Sequence, residues 1–158
     1  MGIYAGANLT ATYTTLTEGN TPSLGDIHIG DDGKRYRFVL FDNGAGNVAA
    51  VAGNFAYVLA VSGASAGQTT TVTSDLSDSA GVGAGVFQSV PADGEYCWVQ
   101  ISGYATLTTA LTAGADGNAL TPVGSTDGTL DVSALVTDHI CAIAIDASAR
   151  IVLLTNMG

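Results

Sequence analysis

A chain of 158 residues and 15.8 kDa is long enough for one domain with a real core and too short for two ordinary ones. Hydrophobic residues make up 47% of it and charged residues only 11%, against about a quarter in a typical soluble domain, so Thr, Ser, Gly and Ala must cover much of the surface. Four basic residues against fourteen acidic ones give a net charge of −10, which a nucleic acid or an anionic membrane would repel, so neither is expected as a partner.

Met1-Gly-Ile-Tyr-Ala-Gly lacks the basic and apolar regions of a secretory signal, and no unbroken apolar stretch approaches bilayer-spanning length. The expectation is a chain neither exported by that route nor embedded in a membrane. No window sustains an apolar repeat at i, i+3, i+4, i+7, whereas period-two alternation and Thr/Val-rich runs recur throughout. The fold class is therefore all-β, a small barrel or sandwich of short antiparallel strands.

In chain order, the alternation predicts strands at Leu9–Leu16, Ile27–Ile29, Arg35–Phe41, Phe55–Val61, Thr69–Thr73, Glu95–Ile101, Tyr104–Leu107, His139–Ile145 and Arg150–Thr155. Asp32-Gly33, Asn43-Gly44, Asp93-Gly94, Asp116-Gly117 and Asp127-Gly128 supply the positive φ of tight reversals between them. Ser62–Gly85 is poor in large side chains, as is Ala110–Leu120. The former reads as a long surface loop or as a bridge between lobes 1–61 and 86–158 of a single domain.

Three of the four basic residues, Lys34, Arg35 and Arg37, sit together at the start of one strand, with Arg150 far off in sequence. Two readings stand: local neutralisation by Asp26, Asp31, Asp32 or Asp42, or an intersubunit contact of an otherwise acidic molecule. In Glu95-Tyr-Cys-Trp-Val-Gln-Ile, alternation puts Tyr96, Trp98 and Gln100 on one face and Cys97, Val99 and Ile101 on the other. The second face is core, and the aromatic one is the other half of a sandwich or a subunit interface.

Signals for chemistry are weak. Gly63-Ala-Ser65-Ala-Gly67 matches the nucleophile elbow of serine hydrolases, with Asp75 and His139 following in permitted order, but Gln68-Thr-Thr-Thr-Val-Thr after it favours strand where the elbow needs a helix. A serine hydrolase using Ser65 is thus a remote alternative, and no enzyme is expected. The same segment lacks the lysine of a phosphate loop. With Glu at 18 and 95 alone, the other twelve of the fourteen acids are Asp, a residue turns also prefer, and no segment has the ligand spacing of a calcium loop. Cys97, Cys141, His28 and His139 lack clustered zinc spacing, so the cysteines read as buried free thiols and no metal or cofactor is expected.

Two segments carry a resemblance. One is Leu24-Gly-Asp-Ile-His-Ile-Gly-Asp-Asp-Gly-Lys-Arg-Tyr-Arg-Phe-Val39. The other runs from Gly94-Glu-Tyr-Cys-Trp-Val-Gln-Ile-Ser-Gly-Tyr-Ala105 through Ala113-Gly-Ala-Asp-Gly-Asn-Ala-Leu120 to Thr137-Asp-His-Ile-Cys-Ala-Ile-Ala-Ile-Asp-Ala147. Together they resemble the capsid decoration (cement, head-stabilising) proteins of tailed bacteriophages, in which an Asp-Gly-basic turn leads into an aromatic and Arg strand, followed by a Tyr-x-Trp-Val-Gln-x-x-Gly run. The chain departs from that pattern at Ala142-Ile-Ala144, where a Gly is common, and at Cys97 and Cys141.

The resemblance implies a non-enzymatic virion protein, made in the host bacterial cytoplasm, that sits as a homotrimer on the outer surface of an icosahedral shell and bridges major capsid proteins. Candidate capsid or intersubunit contacts are then Ile3, Tyr4 and Leu9 in the uncharged arm Met1–Thr17, the basic trio Lys34, Arg35 and Arg37, and the aromatic pair Tyr96 and Trp98. A tail-tube, fibre or adhesin subunit is the alternative of similar composition.

Overall fold

The computed structural model describes residues 7–17, 21–60, 69–155 and 157. Among them are ten strands: β1 Ile27–Ile29, β2 Arg35–Phe41, β3 Phe55–Leu59, β4 Thr71–Thr73, β5 Ser79–Phe87, β6 Tyr96–Thr106, β7 Ala119–Thr121, β8 Asp131–Val132, β9 Ala142–Asp146 and β10 Ile151–Leu154. A single 3₁₀ turn, Leu76–Asp78, interrupts them, and the described chain is otherwise all-β. The strands form one sheet in the order β1-β2-β4-β3-β5-β6-β10-β9-β7-β8, and β6 also pairs with β2. That extra pairing closes β2, β4, β3, β5 and β6 into a ring, consistent with the small barrel or sandwich expected. Three of its junctions, β2 with β4, β4 with β3 and β5 with β6, consist of two residue pairs each, so the ring is irregular.

The reversals follow the expected chemistry, because each of the five glycines in the Asp-Gly and Asn-Gly pairs has positive φ. Between β1 and β2, Asp32 Oδ1 accepts from the Lys34 N–H, which fixes the turn. β1 and β2 have the bounds that alternation predicts.

Three expectations need correction. The segments Glu95–Ile101 and Tyr104–Leu107 are one continuous strand, β6, which passes through Gly103 at φ +90°. The register with β2 shifts beside that point, between Arg35 and Tyr36, and glycine supplies the conformation that lets the strand continue.

Ser62–Gly85, expected as a long surface loop or a bridge between lobes, is in part the strand β5, which pairs with both β3 and β6; residues 61–68 lie outside the described ones. Its small residues are a packing requirement. A Cβ at Gly83 would come within 2.8–2.9 Å of Phe55, Cys141 and Met157, and one at Gly85 would collide with the Gln100 carbonyl. The sequence reads as a loop because close approach of backbones has the same composition as flexibility.

Leu9–Leu16, expected as a strand, makes only one bridge among the described residues, Tyr13 with Tyr96. The ladder stops there because the next carbonyl on that edge of β6, Trp98 C=O, already accepts from the Gln88 N–H.

Inside the ring and along β9 and β10 lies the larger core, including Phe41, Phe55, Tyr57, Phe87, Val99 and Leu120. The Tyr57 hydroxyl donates to Thr129 C=O at 2.6 Å and accepts from the Thr129 N–H at 3.0 Å, so this buried phenol is satisfied. Burial pushes that phenol well above its ordinary pKa. Cys97 and Cys141 are free and buried in this core, each thiol pushed up to about 12 by burial.

Candidate interaction surfaces

The aromatic face of β6 is a second, smaller cluster outside the main core. Tyr36, Phe38 and Trp98 form it, with Ala7, Leu9, Tyr13 and Tyr96 packed against them. Cross-strand register explains the meeting: Phe38 is directly opposite Trp98 and Leu40 opposite Tyr96, so the rings share a face. Phe38 meets Trp98 and Tyr13 edge to face, at centroid separations of 5.2 and 5.6 Å, and stacks on Tyr96 at 6.1 Å. His28 stands 6.1 Å from Trp98, as one more edge of this cluster.

These contacts place the expected docking residues. Leu9, Tyr96 and Trp98 come together, but Trp98 is only 3% exposed, covered by its own chain. Its role in this structure is packing, and half-buried Tyr96 is the member of the pair with surface to offer. Ile3 and Tyr4 lie outside the described residues. Tyr36, Phe38 and Tyr13 were not singled out in the sequence, although the shared parity of Tyr36 and Phe38 within β2 carried the signal.

The basic strand divides in two. Lys34 reaches Asp32 at 3.6 Å, so the local neutralisation expected from the sequence holds there. Arg35 and Arg37 have no carboxylate at salt-bridge distance among the described residues. Asp26 instead accepts from the Ser23 N–H. Both arginines are half-buried, and the Nε of each is sequestered without a hydrogen-bond partner among the described residues. Ile29 is opposite Arg35 and Ile27 opposite Arg37, so four side chains line one face of the β1–β2 ribbon.

The hydrolase constellation is not assembled among the residues described. Ser65 lies outside them. Asp75, buried at 3% exposure, accepts from the Ser77 N–H and hydroxyl and from the Gly46 N–H, while His139 Nδ1 accepts from the Gly83 N–H at 3.4 Å. The Ser77 hydroxyl, helped by these backbone donors, holds the Asp75 carboxyl below its ordinary range. Asp75 thus ties the 3₁₀ turn to the loop at Gly44–Gly46, where Asp78 also accepts from the Ala45 N–H.

Two apolar surfaces emerge only in three dimensions. Tyr104, Leu153 and Ile143 are aligned across β6, β10 and β9, with Tyr104 56% exposed and Ile145 nearby at 42%. The turn at Leu135–Val136 presents both apolar side chains to solvent, Val136 completely, and is held by Asp138, which accepts from the Leu135 and Ala134 N–H groups and the Ser133 hydroxyl. No family model, no curated protein and no solved structure matches this chain.

Proposed function

We propose that the chain is a structural protein of a phage virion that decorates the outer surface of an icosahedral capsid and bridges major capsid proteins. The observation that carries the reading is the placement of the resembling segments. The Lys34–Val39 stretch and the Tyr96–Gly103 run are direct antiparallel partners, from Arg35 opposite Ser102 to Leu40 opposite Tyr96. The closing Ala142–Asp146 strand joins the same sheet through β10. Residues far apart in sequence that carry the resemblance therefore build one contiguous unit, as a shared fold would require. Surface character supports it too: exposed Ile, Val, Leu and Tyr side chains on an acidic, small-residue background suit contact with other chains. Many such copies would add contact free energy to the assembled shell and resist internal pressure by mass action.

Copy number tests the proposal. Intact particles are purified from the source and this chain is quantified against the major shell protein by mass spectrometry. A ratio near one to one is expected; a trace ratio would move the chain to a tail or fibre, and absence from particles would refute a virion role.

A further inference from the structure

We propose that the open edge of β1 docks an extended, acidic segment of a different protein, by backbone pairing to Ile27 and Ile29 and by charge pairing to Arg35 and Arg37. Ladder alternation decides which backbone groups of β1 face outward. Asp26 C=O accepts from the Phe38 N–H and the Gly30 N–H donates to Lys34 C=O, so the even-numbered backbone groups here face β2. The N–H and C=O groups of Ile27 and Ile29 consequently point off the sheet. β1 is a terminal strand, and among the described residues nothing pairs with its outer edge. Edge strands are commonly protected by proline or charge. β1 instead presents two β-branched side chains, 41% and 63% exposed, to whatever approaches.

Charge selects the occupant. Arg35 and Arg37 lie directly across from Ile29 and Ile27 on the same face, with buried Nε donors that have no partner among the described residues. An added strand would sit about 4.8 Å beyond β1, hence about 10 Å from β2, a gap that an arginine and a carboxylate side chain close together. Acidic residues at alternate positions of that strand would meet both guanidinium groups, and charge-assisted pairs of this kind are the strong ones. Two-fold pairing of β1 with its own copy would instead crowd four guanidinium groups on one face, which like-charge repulsion opposes. The partner's identity rests on the capsid reading, in which the segment belongs to the major capsid protein. The edge itself rests only on the geometry.

The probe is a seven-residue peptide of alternating Asp and Thr, with alternating Lys and Thr as control, titrated into the full chain at low salt while amide exchange is followed by NMR. The acidic peptide is expected to bind at least about tenfold more tightly than the control and to protect the Ile27 and Ile29 amides. Ile29→Pro should abolish this without disturbing the native ladder, since the Ile29 N–H makes no bond to β2. Arg35→Glu with Arg37→Glu is the second variant, which keeps the test open should proline unfold the strand. Equal affinity for the two peptides, unchanged exchange at Ile27 and Ile29, or self-association through β1 in place of peptide binding overturns the proposal. Co-sedimentation with purified shells separates the two readings. Wild type and Ile29→Pro bound equally would refute the edge and leave decoration standing. Wild type that fails to bind shells would refute decoration, and the peptide titration then decides the edge alone.

Discussion

β2 and β6 supply both hydrophobic clusters from opposite faces of the same paired strands, yet the two clusters are closed in different ways. Val39, Phe41, Cys97, Val99 and Ile101 enter a core walled by the ring and by β9 and β10, and most of its members are wholly buried. Tyr36, Phe38 and Trp98, one residue out of phase, stand on the outside and are roofed by Ala7, Leu9 and Tyr13. Among the described residues that roof has one backbone bridge, the reciprocal Tyr13 and Tyr96 bonds of 2.9 and 2.8 Å. Burial alone is thus a poor guide to local stability: two equally hidden aromatics can sit behind a closed ladder or behind a single bridge.

The sharpest test of this contrast is Phe55→Ala. Phe55 is fully buried among inner-core residues, and removing the ring should cost about 3–5 kcal/mol of global stability, seen as a large fall in the urea midpoint. Gly85→Ala comes next, since its φ of +139° and the Gln100 carbonyl both oppose a Cβ. A loss of about 2–4 kcal/mol is expected, with amide exchange speeding up along β5 and β6. If the alanine were neutral, the view of β5 as a close-packed strand would fall.

Tyr13→Ala should be milder and local, about 1–2 kcal/mol. Trp98 fluorescence should shift to the red as the roof lifts, while the inner amides of Val99 and Ile101 keep their protection. Loss of protection there as well would merge the two clusters into one cooperative unit.

Acid should act on the loops before either cluster. Asp75, held by the Ser77 hydroxyl and then by backbone donors, releases its proton more readily in the folded chain than in the unfolded one; so do Asp138, held by the Leu135 and Ala134 N–H groups, and Asp146, held chiefly by the Ala149 N–H. As pH falls through and below the ordinary value of 3.8, the unfolded chain takes up more protons and stability drains away. Urea midpoints should be flat above about pH 5 and fall below it. Asp75→Asn, less stable near neutrality because it breaks the tie to Gly46, should show a shallower decline in acid.

How much of this was legible in the sequence varied by element. β1 and β2 could be read to the residue because a run bounded by Gly, Asp and alternation leaves one choice of register. The separation of Trp98 from Cys97 and Val99 was equally legible, since strand parity is local. β7 and β8, of three and two residues, left too little pattern to see. The apolar turn at Leu135–Val136 and the row Tyr104, Leu153 and Ile143 were hidden, because exposure depends on what packs nearby and not on the side chain itself.

By itself, the sequence determined an all-β chain with tight Asp-Gly and Asn-Gly reversals, a two-faced aromatic strand and a basic strand in an acidic field, all properties of neighbours within a few residues. Only the tertiary structure decided that glycine-rich Ser79–Phe87 joins a ring, that Leu9–Tyr13 roofs Trp98 instead of extending a sheet, and that Ile27 and Ile29 end the sheet beside two arginines with no carboxylate partner among the described residues. Those outcomes depend on which backbone edges are already occupied when distant segments meet. Hydrogen-bond capacity at an edge is used once, and no local pattern records who used it.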